Sequence, residues 1–361
     1  MARRKKGVTT GDVAKEAGVS QSTVSMILND YPYASFSEET KQRVYKACVT
    51  TGYRGIVKPT SGKERLILVV SPSCDNLDYA KSSSVIQAAC KEKGFRSLTY
   101  FTMRDPELES SLPDIVQSLQ VDGVLFLYQP QNPWLITKIT NMKPVVSIVD
   151  RNPDISPDAI ELSSEKIGKI ISAHLIELGH TSIAYVAKAI NEKYSVRANR
   201  LQGLKEGFKD HGLDPESSIV VCTYESEGVN GNPNDSDYET GFVLANYVVD
   251  KYDVTAIVGN NDAVSLGIID ALHYRKIKVP QDYSVCGCDN TYISGLRDIS
   301  LTTVEKFTEL RSREAVDILL KKIRQSSSGV NNYKLPVSAI KVEYEPQIVA
   351  RRSTGPSRKV K

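Results

Sequence analysis

The sequence predicts two folds in one chain. A three-helix helix-turn-helix head spans residues 1–54, and an α/β body spans residues 65–350, built as two doubly wound parallel-sheet lobes. Three observations predict this. Short helical patterns with capping residues crowd into the first sixty positions. From Arg65 onward, apolar runs alternate with amphipathic stretches in two successive series. Charge is also partitioned: the first 65 residues hold twelve Lys/Arg against six Asp/Glu, and the remainder holds 34 against 37. Residues 55–64 are then a linker and 351–361 a disordered basic tail.

The first helix of the head follows Thr9, which stands three residues before Asp12, the spacing of a capping pair at a positive helix end. Val13, Ala14 and Ala17 share one face, and Gly18 supplies the stop. Ser20 caps a second helix almost at once, carrying Thr23, Val24, Ile27 and Leu28. A third starts at Ser37, with Glu38 and Glu39 in its first turn, and runs through Val44 and Ala47 to Gly52. Two helices joined by so tight a turn form the layout that lays its second helix in the major groove. On that helix Gln21, Ser22 and Met26 lie at i, i+1 and i+5, so they project together toward base edges. A basic head on a mildly acidic body restricts the polyanion partner to the head.

In the body, strands are predicted at 66–71, 97–101, 123–127 and 145–149, with helices at 83–93 and 108–119. The second series places strands at 182–187, 219–222, 256–258 and 284–287, with helices at 164–178, 197–211, 238–251 and 262–274. Strands alternating with helices imply parallel sheets, and two series imply two lobes. Such lobes bind ligands beyond the carboxyl ends of their strands, so two facing lobes make a cleft that closes about a hinge. The Gly/Asn/Asp-rich segment 225–237 is expected to be a mobile loop.

Several function classes are disfavoured. No apolar run approaches the ~20 residues needed to span a bilayer, and no apolar stretch follows the basic Arg3, Arg4, Lys5 and Lys6, so the expectation is a cytoplasmic protein with no membrane partner. None of the six cysteines forms a Cys-x-x-Cys pair; Cys286 and Cys288 flank Gly287 on a predicted strand and suit reduced, buried thiols. His174 and His180 are six apart without a third ligand nearby, which suits structural roles and no metal. Phosphate-cradling glycine loops, nucleophile elbows and metal-ligand clusters are absent from the sequence, so neither a cofactor nor an enzyme is expected. Trp134 takes no assigned role.

The runs Asp12-Val13-Ala14-Lys15-Glu16-Ala17-Gly18-Val19-Ser20 and Thr23-Val24-Ser25-Met26-Ile27-Leu28-Asn29 closely resemble the DNA-binding head of the lactose/galactose repressor (LacI) family of bacterial transcription regulators. So do Ser37-Glu38-Glu39-Thr40 and Gly52-Tyr53. The resemblance continues in the body through His174-Leu175-Ile176-Glu177-Leu178-Gly179-His180, Arg200-Leu201-Gln202-Gly203, Val279-Pro280, Val285-Cys286-Gly287-Cys288-Asp289-Asn290 and Leu301-Thr302-Thr303-Val304. It implies a sensor body like the periplasmic sugar-binding proteins, a homodimer, an operator-DNA partner and a small sugar-like effector.

By that resemblance Gln21, Ser22 and Met26 are base-reading positions, while Thr9, Ser20, Thr23, Ser25, Asn29 and Thr40 hold phosphates; for each hydroxyl, plain capping is the alternative. Arg200 and Asp289 match the family's cleft-facing pair, a forked donor and an acceptor suited to hydroxyls. Asp150 at a strand end, Asn261 and Asp262 after another, and Tyr79 as a stacking aromatic complete the candidate ligand set. The plainer alternatives are caps for Asp289 and Asp262, core for Tyr79 and a solvated charge for Arg200. Two departures matter. The family's usual Arg is replaced by Met26, which implies a half-site altered at that base pair. Tyr53 is followed by a segment with Gly55, Pro59 and Gly62 and no wedge Leu, which argues against the usual minor-groove hinge helix. The rivals are a metabolite-binding protein with no DNA role and an enzyme on a doubly wound fold.

Overall fold

The computed structural model describes residues 8–29, 31, 33–53, 65–132, 134–150, 158–190, 196–226, 229, 236–327 and 339–359. The chain divides into two units, Met1–Glu64 and Arg65–Lys361. The linker 55–64 and most of the expected loop at 225–237 lie outside the described residues.

The first unit holds α1 (Thr10–Ala17), α2 (Gln21–Leu28) and α3 (Glu38–Thr51). The capping pair forms in both directions: the Asp12 amide donates to Thr9 Oγ1 (3.4 Å) and the Thr9 amide donates to Asp12 Oδ2 (2.7 Å). Ser37 caps α3 rather than opening it. Gly18 (φ +65°) ends α1 in a left-handed conformation that a side chain would strain, which makes the abrupt turn into α2 possible. Val13, Ala14, Ala17, Val24, Ile27, Val44 and Ala47 form the small core beneath.

The second unit opens with β1 (Leu66–Ser71), α4 (Leu77–Glu92), β2 (Arg96–Phe101), α5 (Pro106–Ser110), α6 (Leu112–Ser118), β3 (Gly123–Phe126), α7 (Trp134–Thr140), β4 (Val145–Asp150) and β5 (Ala159–Leu162). There follow α8 (Ser164–Glu177), β6 (Ile183–Val186), α9 (Val196–Asp210), α10 (Pro215–Ser218), β7 (Ile219–Cys222), α11 (Asp237–Lys251), β8 (Ala256–Gly259), α12 (Asp262–Tyr274), β9 (Ser284–Cys286), β10 (Thr303–Glu305), α13 (Thr308–Ser327), β11 (Lys341–Tyr344) and β12 (Gln347–Val349). The first sheet is parallel, in the order β11-β5-β4-β3-β1-β2; the second, also parallel, runs β7-β6-β8-β9; β10 and β12 form an antiparallel pair. These are the two expected lobes. Among the described residues no helix is long and apolar enough to cross a membrane.

The lobes are not consecutive in sequence. After β10 the chain returns to the first lobe as α13, whose Ala315, Val316, Leu319, Leu320 and Ile323 pack in one cluster with Ile67, Leu125 and Val146. Lys322 of α13, buried, meets the buried Asp158 at 2.9 Å, and β11 then extends the first sheet beside β5. The predicted helix at 108–119 is two helices that meet at Ser111, because Pro113 has no amide to continue the ladder and its ring crowds the turn before it.

The expected disordered tail is corrected over 351–359. Ser353 Oγ donates to the Val285 carbonyl (2.6 Å) and accepts from the Thr302 amide (2.7 Å), while the Ser357 amide donates to the Leu178 carbonyl (2.8 Å). Arg358 stacks on Tyr283 (4.7 Å to the ring centroid) and pairs with Asp253 (2.9 Å). These small polar residues satisfy backbone groups at the edge beside β9, so the segment belongs to the second lobe. His180, buried, bonds Thr255, Ser284 and the Gly355 carbonyl, and His174 bonds Thr354, so both histidines tie the tail down.

Candidate nucleic-acid face and interlobe cleft

On the head, Gln21, Ser22, Ser25 and Met26 are the exposed residues of α2, a single stripe opposite Val24 and Ile27. Gln21 Nε2 donates to Thr10 Oγ1 (2.8 Å), which braces its side chain across α1 while leaving its carbonyl oxygen for a donor. Ser20 Oγ caps the Thr23 amide (3.0 Å) and also meets Ser22 Oγ and Thr23 Oγ1. Ser37 and Thr40 repeat that pairing at α3, and Asn29 Nδ2 donates back to the Ser25 carbonyl. The capping alternative is therefore realised at Thr9 and Ser20. Each of these oxygens keeps a free lone pair or a hydroxyl proton that can turn outward.

In the body, the candidate ligand residues gather where the strands of both lobes end. Lys306, between β10 and α13, donates to Asp78 Oδ2 of α4 (2.6 Å) and to Asp289 Oδ1 beyond β9 (2.7 Å), bridging the lobes. Thr308 Oγ1 donates to the other Asp78 oxygen (2.6 Å). Burial pushes the Asp289 carboxyl up to about 7 against the pull of Lys306. Burial also opposes the charge on Asp78, but Lys306 and Thr308 hold it below the usual carboxylate range.

Arg200, on α9, is 3% exposed. Its Nη1 donates to the Asn260 carbonyl and side-chain oxygens, and among the described residues its Nε meets no acceptor. Tyr185 holds Asn260 from behind, its hydroxyl donating to Oδ1 (2.9 Å). Asp150, at the end of β4, accepts from the Ser164 amide and from Asn199 Nδ2, both at 2.7 Å, so it ties β4 to α8 and α9. Tyr79 is half-buried in the first turn of α4, with Arg104 Nη2 3.5 Å from its hydroxyl.

The structure thus brings Arg200, Asp289 and Asp150 to the strand ends, packs Tyr79 against the first-lobe core as its plainer alternative had it, and gives Asn261 and Asp262 internal work. Asn261 caps α12 through the Val264 amide (2.9 Å). Asp262, 1% exposed, accepts from the Thr291 amide and hydroxyl and from Thr303 Oγ1. Sequence reasoning did not single out Lys306 or Asp78, which the structure joins to Asp289; nothing local pairs Lys306 with an aspartate 228 positions away.

Residues 9–55 match the model of bacterial regulatory proteins of the lacI family, and residues 172–354 match that of the periplasmic binding protein-like domain. The chain belongs to the lacI family. Among its relatives, the HTH-type transcriptional regulator DegA of Bacillus subtilis (strain 168) is 27% identical over 358 residues, covering 96% of this chain and 98% of its own. The HTH-type transcriptional repressor PurR of Haemophilus influenzae (strain PittEE) is 26% identical with the same coverage. The solved complex of the transcriptional regulator CelR with cellobiose superposes with a TM-score of 0.64 at 23% identity, covering 96% of this chain and 99% of that one. A periplasmic binding protein/LacI regulator from Alkaliphilus metalliredigens QYMF, complexed with D-xylulofuranose, gives 0.64 at 22%, covering 81% and 99%. At those identities the structural likeness speaks for the fold. This lacI-family chain is therefore a DNA-binding transcription regulator with the expected two-lobed body.

Proposed function

We propose that this regulator is a ligand-responsive repressor that acts as a homodimer in the bacterial cytoplasm and senses a small polar metabolite, a sugar or sugar derivative, in the interlobe cleft. The observation that carries the reading is the convergence of Arg200 and Asp289 at strand ends, beside a Lys306 bridge that already joins the two lobes. A ligand hydroxyl that accepts from Arg200 and donates to Asp289 competes with Lys306 for that carboxylate and so alters how the lobes are held. Asp150 and Tyr79 border the same space. The printed names of CelR and the Alkaliphilus protein, each with a bound sugar, support the ligand class.

On DNA, Gln21, Ser22 and Met26 read base edges, and Thr9, Ser20, Thr23, Ser25, Asn29 and Thr40 contact phosphates. Linkage requires that an effector which loosens DNA binding itself binds more tightly to DNA-free protein. No step calls for catalysis or a cofactor.

The test combines gel shifts on selected operator duplexes with a thermal-shift screen of sugars, sugar phosphates and nucleobases. A cleft ligand at 100 times its dissociation constant is expected to add ~2.7 kcal/mol of stability. Arg200→Gln and Asp289→Asn should each abolish the effector response while leaving operator binding intact. An undiminished response in both variants, or no operator bound by the full chain, removes the proposal.

A further inference from the structure

One side chain on the exposed stripe of α2 is held in place from a different helix. We infer that Thr10 is a positioning residue for base readout: it fixes the Gln21 amide so that the base pair facing Gln21 presents adenine. This rests on the base-reading assignment of Gln21 above and names the base it reads.

Gln21 opens α2 and is exposed. An exposed glutamine ordinarily turns freely about its side-chain torsions. Here its Nε2 donates to Thr10 Oγ1 of α1, 11 residues earlier in the chain, at 2.8 Å. The anchor is itself firmly placed. Thr10 opens α1, whose first turn is clamped by Thr9 and Asp12: Thr9 Oγ1 donates to Asp12 Oδ2 (2.7 Å) and accepts from the Asp12 amide. Val13 and Ala17 of α1 pack with Val24 and Ile27 of α2 in one core, so buried contacts set how far Thr10 stands from Gln21. Gly11 keeps the other side of the amide clear. A Cβ there would lie 3.9 Å from Gln21 Oε1, so a larger residue would begin to cover that oxygen.

A primary amide has one acceptor and two N–H donors. Thr10 takes one donor, which leaves Oε1 and one N–H for the groove. In the major groove adenine presents a donor beside an acceptor, N6–H next to N7, and that edge receives an amide bidentately. Guanine presents two acceptors, O6 and N7, and would set O6 against Oε1. Cytosine offers a donor with no acceptor beside it, and thymine an acceptor beside a methyl group. To suit guanine the amide would have to turn over and give its Nε2 protons to the groove, which breaks the bond to Thr10. Anchoring also removes rotamer freedom ahead of binding, so less is lost when DNA is bound.

The test uses the full chain in binding-site selection on randomised duplexes, followed by titration of the selected half-site and of duplexes altered pair by pair. The pair that Gln21 reads is the one whose preference relaxes in Gln21→Ala. It should be A·T, preferred about tenfold or more over its alternatives. Thr10→Val, which removes the hydroxyl at nearly the same volume, should cut that preference to about threefold or less while preferences at the other pairs hold. Thr10→Ser should restore it. In the Gln21→Ala background Thr10→Val should change nothing further, a coupling that a merely structural role for Thr10 would not produce. Should Thr10→Val lose the helical signal of the head, Thr10→Ala carries the same test. Selection of G·C at the Gln21 pair overturns the inference, as does an unchanged preference there in the Thr10 variant, or a loss spread evenly over every pair. Each of these leaves base reading by Gln21 in place. If Gln21→Ala relaxes no pair, the base-reading assignment falls and the inference falls with it.

Discussion

Single side chains decide what each unit recognises. Met26 lies on the exposed stripe of α2 at 38% exposure and offers only methylene and thioether surface, so it can pack against a thymine methyl but cannot fork onto guanine. Met26→Arg is expected to shift the preferred half-site toward guanine at one base pair, by ~1–3 kcal/mol of discrimination. Binding-site selection on randomised duplexes measures this; enrichment of the same sequences by both proteins would contradict it. In the cleft the corresponding device is Lys306, a single ammonium shared by two aspartates from different lobes. Because Asp289 is held up near 7 by burial, this bridge is poised to respond to whatever adds or withdraws a donor there.

At the level of elements, a close helix contact places Arg200. A Cβ added to Gly203 of α9 would lie 1.9 Å from the Glu165 carbonyl oxygen of α8, and one added to Gly168 of α8 would lie 2.2 Å from the Arg200 carbonyl oxygen. The two helices touch backbone to backbone, one turn from Arg200. Gly203→Ala must therefore force them apart, at a cost of ~1–3 kcal/mol or more from overpacking. It should also weaken effector binding, because Arg200 moves with its helix. Urea unfolding together with calorimetry checks both; unchanged stability would mean that α8 and α9 do not pack so closely.

At the scale of the whole molecule, the second unit is laced together by chain that leaves a lobe and returns. The segment 351–359 closes the second lobe after β11 has completed the first sheet. Removing residues 350–361 exposes the polar edge beside β9 and unpairs buried groups such as the Thr302 amide and the Val285 carbonyl. Each such loss costs ~1–3 kcal/mol, so the body should melt several degrees lower. An unchanged melting midpoint would restore the expectation of a disordered tail. The head, with its own caps and core, should keep its helical signal in that truncation.

Much of this protein was legible in its sequence, because the governing interactions are local. Thr9 with Asp12, Ser20, Gly18 and Gly52 act on neighbours three or four residues away, so the head could be written out helix by helix. The strands from β1 to β4 and from β6 to β9 announce themselves as apolar runs between amphipathic ones. The α13 stripe of Ala315, Val316, Leu319, Leu320 and Ile323 was also present in the letters, but not which lobe it covers. Tertiary structure alone decided that β11 pairs with β5, that Asp262 serves Thr291 and Thr303, and that Lys306 joins Asp78 to Asp289. The left-handed turn at Met103 and Arg104 belongs with these, since neither residue advertises it. The division follows from range: capping and periodicity act within a turn or two of backbone, whereas a charge is defined by whatever the fold brings opposite it.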